Sequence, residues 1–261
     1  PPPPPPPPPP PSFFYKQKTQ SAILSGLVGS EMCIRDSPEI ISLPVKGGGS
    51  FPVNNIYCVG RNYAAHAVEM GADPNQEPPF FFMKPGYAVL NSGNEMEYPP
   101  ESSQIHHELE LIVALSSGGR DIAVEKAMDL VFGYGVGIDM TRRDLQSTAK
   151  DRSWPWEAGK VFKHAAPCSE IVPITQIGEL NEASITLSVN GEIKQKGNVN
   201  QMIWKVPQII SRLSKLFGLY PGDLLFTGTP EGVGPVKVGD RIAANLESVA
   251  TLEAVSYTHL R

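Results

Sequence analysis

The sequence predicts an α+β fold, mainly β and dominated by antiparallel sheet. Three observations carry this. Short apolar and β-branched runs recur along the chain, each closed by glycine or proline. Few stretches show helical spacing. Asn190-Gly191 lies between two strand-like runs, 185–189 and 192–195, and is a strong hairpin signal.

The elements follow in order. Residues 56–59 form the first core strand, closed by Gly60. Asn62 is placed to cap a short helix over 63–70, with Gly71 as its stop. A proline-rich loop over 73–79 leads to a buried strand at 80–83, and Lys84-Pro85-Gly86 reads as a turn. A strand is expected over 105–113, a helix over 123–130, a buried strand over 131–138 and a helix over 141–150. The stretch 207–217 is an amphipathic helix with Ile209, Ile210, Leu213, Leu216 and Phe217 on one face. Pro207 suits its first turn, and Gly218 follows its end. Pro221-Gly222-Asp223 turns into a strand at 224–227, a glycine-rich loop covers 228–234, and a last strand covers 246–255.

The ends differ from the middle. Pro1–Pro11 is a homopolymer, which adopts an extended polyproline helix and builds no core. Residues 12–37 and 256–261 resemble translated sequencing-adapter read-through, so the expected domain is 38–255. The ends carry four basic residues (Lys16, Lys18, Arg35, Arg261) and two acidic ones (Glu31, Asp36). The formal charge of −5 therefore becomes −7 for the domain. No basic stripe speaks for nucleic acid. Cys58 and Cys168 have neither disulfide-framework nor zinc-motif spacing. No apolar run approaches a membrane span, and the simplest expectation is a cytoplasmic protein.

The candidate chemistry centres on carboxylates. Side chains alternate along a strand, so Glu108 and Glu110 share a face. Two acids on an apolar strand repel each other and are costly to desolvate, unless a cation lies between them or the strand is a solvent-facing edge with two ordinary acids. Asp139 ends the buried run 131–138, where sites gather in mixed folds. Glu108, Glu110 and Asp139 together make an all-oxygen set that suits Mg²⁺ or Mn²⁺ rather than zinc.

Other groups are weaker singly. His66 and Glu69 are three apart on the expected helix, as a base and its orienting carboxylate would be, or as an ordinary surface pair. Arg143 and Gln146 share a helix face that could grip a carboxylate or simply face solvent. Lys160 lies in an apolar, glycine-containing stretch, suited to stabilise an oxyanion or to snorkel. The loop 228–234, with Thr229, can form a carboxylate-binding nest or a tight turn, and it lacks the lysine and serine of a P-loop.

Their order is more specific than any one of them. Gly60-Arg61-Asn62-Tyr63 and His66-x-x-Glu69 come first, then His107-Glu108-x-Glu110 and Gly137-x-Asp139-x-Thr141-x-Arg143-Asp144-x-Gln146. Lys160 and Thr227-Gly228-Thr229-Pro230-x-Gly232-Val233-Gly234 follow. This series resembles the fumarylacetoacetate hydrolase superfamily over about residues 51–252, and 56–84 resembles its fumarylpyruvate hydrolase and acylpyruvase branch. The resemblance implies a mixed β-sandwich roll with a few peripheral helices and a lid helix, usually as a homodimer. It implies Glu108, Glu110 and Asp139 as Mg²⁺ or Mn²⁺ ligands, and His66 and Glu69 as the water-activating dyad on the lid. It also implies Lys160, Arg143, Gln146 and Thr229 around the substrate's carboxylate and oxo end, with Arg61 as a further contact. The expected reaction is hydrolysis of the C–C bond of an acylpyruvate, a small 2,4-dioxo acid, to pyruvate and a carboxylic acid. Decarboxylation or isomerisation of 2-oxo diacids on the same fold, or a non-catalytic metal-binding role, are the alternatives.

Overall fold

The computed structural model describes residues 40–64 and 78–257. Its strands run, in order, β1 (Ser42–Pro44), β2 (Ser50–Pro52), β3 (Asn55–Gly60), β4 (Phe80–Pro85), β5 (Val89–Asn91), β6 (Glu95–Glu97), β7 (Ile105–His107), β8 (Leu109–Leu115) and β9 (Val131–Ile138). They continue with β10 (Thr141–Arg142), β11 (Ala166–Cys168), β12 (Val172–Pro173), β13 (Ser184–Val189), β14 (Glu192–Asn198), β15 (Leu224–Phe226), β16 (Gly234–Val236), β17 (Arg241–Leu246) and β18 (Ala250–Tyr257). The helices that matter below are α1 (Arg143–Asp151), the single turn α2 (Glu157–Lys160) and α3 (Val206–Leu216).

A mixed central sheet has the order β4-β3-β15-β8-β9-β11-β5, with β12 paired to β9. A five-stranded sheet, β14-β13-β17-β18-β6, packs on it, with β13 against β8 and both β17 and β18 against β9. Each strand of the β17–β18 hairpin alternates buried and exposed residues, the mark of a sheet with one wet face. Strand β8 is different: all seven residues of Leu-Glu-Leu-Ile-Val-Ala-Leu are buried, because it is covered on both faces. The fold is thus mainly β with few helices, as expected. Asn190 and Gly191 both have positive φ, which a two-residue hairpin of this twist requires.

Four local expectations are corrected. The run 105–113 is not one strand. It breaks at Glu108, where the chain leaves the small sheet β10-β7-β16 and enters the central one. The helix over 123–130 is a 3-10 helix, Val124–Leu130. Its buried Ala127 and Leu130 are three apart, the repeat that puts them on one face of that tighter coil. The helix after Asp139 begins at Arg143, since Thr141 and Arg142 pair with His106 and Ile105. Lys84 is no turn residue. It lies in β4, fully buried, opposite Ile56.

Strand β18 runs two residues past the expected boundary at 255. Ser256 is buried and pairs with Met96; its N–H donates to the Asp240 carbonyl at 3.0 Å. The helix expected over 63–70 lies, from residue 65 on, outside the described residues. Asn62, expected as its cap, spends its amide elsewhere. It donates to the Thr227 and Trp204 carbonyls and accepts from Trp204 N–H at 2.7 Å. Among the described residues no helix is long and apolar enough to cross a membrane.

Candidate active site

The break at Glu108 builds the centre. As the chain changes sheets, the Glu108 carbonyl accepts the Asp139 N–H at 2.8 Å, locking the end of β9 to the start of β8. Glu110 follows on β8. Ligand atoms of Glu108, Glu110 and Asp139 all lie within 4.8 Å of one another, and all three residues are buried.

Cations hold this cluster. Lys160, at the end of α2, donates to Glu108 Oε2 at 2.9 Å, Asp139 Oδ2 at 2.6 Å and the Thr141 hydroxyl at 2.7 Å. It is buried to 1 % exposure, so it does not snorkel. Arg143, opening α1, pairs with Glu108 Oε1 and donates to Gln146 Oε1. Lys84 reaches in from β4 to within 2.8 Å of Asp139 Oδ1 and donates to the Met140 and Lys160 carbonyls. Close packing sets these positions. A Cβ on Gly159 would stand 2.9 Å from Gln146 Cβ, so a bare glycine lets α2 approach α1.

The glycine-rich loop serves the carboxylates directly. The Gly228 N–H donates to Glu110 Oε2 at 2.7 Å, so this donor is committed to Glu110 rather than open to a substrate. Gly228 has φ +96°, and a Cβ there would meet Asn62 Cβ at 2.6 Å. Thr229 accepts from Gln195 Nε2 at 2.8 Å. Gln195 Oε1 takes the Leu109 N–H at 3.0 Å and meets His107 Nδ1 at 2.8 Å.

The electrostatics fit a divalent cation. Burial first, then the charges of Asp139 and Glu108, push the Glu110 carboxyl well above its usual range, against the pull of the Gly228 N–H and Lys160. Burial alone would lower Lys160, but Asp139 and Glu108 outweigh it and raise the ammonium. Asp139 Oδ1 is buried and accepts no hydrogen bond; its approach to Lys84 is an ion pair off hydrogen-bond alignment. A buried carboxylate oxygen left in that state, beside a carboxylate that resists ionisation, suits an Mg²⁺ or Mn²⁺ ligand set.

A cavity opens over the cluster. Arg61, Phe80, Lys150 and Trp156 edge it together with Glu108, Glu110, Arg143, Gln146, Lys160 and Thr229. The residues from 55 to 255 match the family model described as fumarylacetoacetate (FAA) hydrolase C-terminal. The chain belongs to the fumarylacetoacetate hydrolase family. It is 48% identical over 197 residues to a mitochondrial oxaloacetate decarboxylase of Dictyostelium discoideum, covering 75% of this chain and 90% of that one. It is 43% identical over 180 residues to a fumarylpyruvate hydrolase of a Ralstonia species, covering 69% and 93%. A crystal structure of fumarylpyruvate hydrolase from Pseudomonas aeruginosa in complex with Mn²⁺ and pyruvate superimposes with a TM-score of 0.83 at 46% identity, covering 85% of this chain and 98% of that one.

Of the site residues expected from sequence, eight come together in this fumarylacetoacetate hydrolase fold: Arg61, Glu108, Glu110, Asp139, Arg143, Gln146, Lys160 and Thr229. His66 and Glu69 lie outside the described residues. Three residues at the site were missed. Lys84 was hidden by its Pro-Gly neighbours, although a lysine closing Phe-Phe-Phe-Met was itself a signal of the kind that marked Lys160. Lys150 stands seven residues after Arg143, on the same helical face. Gln195 had no local signal, because its partners lie 34 to 88 residues away.

Proposed function

We propose that this chain is a divalent-cation-dependent hydrolase that cleaves the C–C bond of acylpyruvates of the fumarylpyruvate kind, giving pyruvate and a carboxylic acid. The observation that carries the reading is the position of Lys160. Its ammonium touches two carboxylates of the triad at 2.6 Å and 2.9 Å while lining the cavity beside Arg143 and Gln146.

Charge balance points to the substrate class. Glu108, Glu110 and Asp139 are matched by Lys84, Lys160 and Arg143. A divalent cation, with Arg61 and Lys150 also at the cavity, would leave an excess of positive charge that suits an anionic substrate such as a 2-oxo acid.

Glu108, Glu110 and Asp139 would hold Mg²⁺ or Mn²⁺, which supplies Lewis acidity toward the 2-oxo acid end of the substrate. Arg143 and Gln146 orient the substrate carboxylate. His66, its basicity raised by Glu69, takes a proton from water, and the water oxygen attacks the distal carbonyl carbon. The C–C bond breaks with its electron pair moving to the pyruvyl carbon. Lys160 offsets the charge on the resulting enolate oxygen, and return to carbon of the proton that His66 took gives pyruvate. Water supplies the hydroxyl of the carboxylic acid product.

The second reading is oxaloacetate decarboxylation, favoured by the identity to the Dictyostelium discoideum protein. It needs enolate stabilisation but no activated water. Pyruvate release from fumarylpyruvate, acetylpyruvate and oxaloacetate, with Mg²⁺, with Mn²⁺ and after chelation, separates the two. We expect kcat/KM for fumarylpyruvate at least tenfold above that for oxaloacetate. The reverse order would replace hydrolysis with decarboxylation.

A further inference from the structure

Helix α1 sends three side chains into the cavity: Arg143, Gln146 and Lys150. They are spaced i, i+3 and i+7 and so share a face, with Arg143 and Lys150 about 10 Å apart along the axis. The first is anchored to Glu108 and Gln146. Lys150 is different. It makes no ion pair with any described residue, although Lys84, Lys160 and Arg143 all do. Its ammonium lies 5.1 Å from the centre of the Trp156 ring, and that ring is held edge-on against Phe80 at 5.2 Å. Lys150 is thus a half-buried cation fixed at the cavity wall without a counter-ion among the described residues. Burial, and then repulsion from Arg143 and Arg61, lower its pKa to about 8, with Glu108 acting the other way and Lys160 adding to the repulsion. Among the described residues it is a cation among cations, beside carboxylates already held by Lys84, Lys160 and Arg143.

We propose that Lys150 is the specificity residue for a second carboxylate, selecting 2-oxo acids whose far end carries an anionic group. This rests on the 2-oxo acid reading above. The longer a 2-oxo diacid, the more readily its second carboxylate reaches past Arg143 to Lys150. Trp156 and Phe80 offer the apolar, ring-lined wall that an unsaturated connecting chain would pack against.

The test is binding to the Mn²⁺-loaded protein, which needs no turnover. Calorimetry would compare pyruvate with 2-oxoheptanedioate, a seven-carbon 2-oxo diacid. Wild type should bind the diacid more tightly. Lys150→Met should weaken diacid binding about ten- to a hundredfold more than pyruvate binding, the range expected for a hydrogen bond to a charged group. Lys150→Arg should restore most of the preference, a rescue that a purely structural role would not give. Equal loss for both ligands, or none, in Lys150→Met would overturn the assignment. The same ratio can be read as kcat/KM for fumarylpyruvate against acetylpyruvate. If neither is cleaved, the hydrolase reading fails, and the calorimetric ratio still decides the role of Lys150.

Discussion

Lys84 and Asp139 lie 2.8 Å apart with neither side chain exposed. The pair joins β4, on one edge of the central sheet, to the end of β9. A buried ion pair gives little net stability, because desolvation offsets the attraction, but removing one partner strands the other charge. Lys160 still holds the other Asp139 oxygen, so Lys84→Met should destabilise the metal-free protein by about 1–3 kcal/mol, a fall in melting temperature of very roughly 2–12 °C for a domain of this size. Saturating Mn²⁺ should close part of that gap, since a cation at the triad takes over the Asp139 oxygen that Lys84 leaves. Thermal melts of wild type and variant, with chelator and with Mn²⁺, check both statements. A deficit unaffected by Mn²⁺ would separate Asp139 from the metal site.

The triad itself is tested by removing ligands one at a time. Glu108→Ala, Glu110→Ala and Asp139→Ala should each weaken Mn²⁺ binding at least tenfold in calorimetry and abolish metal-dependent turnover. Wild type should gain about 2.7 kcal/mol of stability at a hundred times its Mn²⁺ dissociation constant. Mn²⁺ affinity unchanged in all three variants would rule out this site.

Gly228 links backbone strain to the same centre. Its φ of +96° and the 2.6 Å approach to Asn62 leave no room for a side chain, and its N–H serves Glu110. Gly228→Ala should cost about 1–3 kcal/mol and weaken Mn²⁺ binding at the same time. Loss of stability in urea melts with Mn²⁺ affinity intact would show that the loop does not position Glu110.

These relationships also show what a sequence can carry. Glu108, Glu110, Asp139 and Lys160 were legible because each is a charged residue inside an apolar run, and such a run is buried whatever it packs against. The hairpin at Asn190-Gly191 and helix α3 were legible because turn chemistry and apolar spacing are local. The break at Glu108 was not, because nothing in Ile105–Leu115 itself says that β7 and β8 join different sheets; β10, β16, β9 and β15 decide that. Lys84 was misplaced for a related reason. Lys-Pro-Gly is a turn by local preference, yet pairing with Ile56 and the pull of Asp139 extend β4 through it. Asn62 and Gln195 act only across long sequence separations, which no spacing rule reaches.

The lowered pKa of Lys150, about 8, gives a pH dependence with a definite sign. In the free protein the ammonium loses its proton as pH rises through about 8, so any preference that depends on its charge is lost above that value. The ratio of kcat/KM for fumarylpyruvate to that for acetylpyruvate should be level below pH 7 and fall above 8. The ratio cancels titrations common to both substrates. In Lys150→Arg it should stay level to pH 10, since a guanidinium remains protonated. A ratio constant with pH in wild type would mean that Lys150 does not see the far carboxylate.

Hydrolysis and decarboxylation make different demands on the base. Cleaving an acylpyruvate requires a water made nucleophilic at the moment of attack. Decarboxylating oxaloacetate requires only that the enolate left behind be stabilised, the part proposed above for Lys160 and the triad. His66→Ala should therefore cost acylpyruvate hydrolysis about 10²–10⁴-fold, the usual size of a general-base contribution. Glu69→Gln should cost less, because it alters the orientation and basicity of the imidazole without removing it. Oxaloacetate decarboxylation, where it occurs, should tolerate both changes better, while Glu110→Ala should abolish both reactions. Running the two assays side by side on these three variants ties the base to one reaction and the carboxylates to both. If His66→Ala cleaves acylpyruvates as fast as wild type, His66 is not the base, and the enolate chemistry shared with decarboxylases and isomerases becomes the better account of this site.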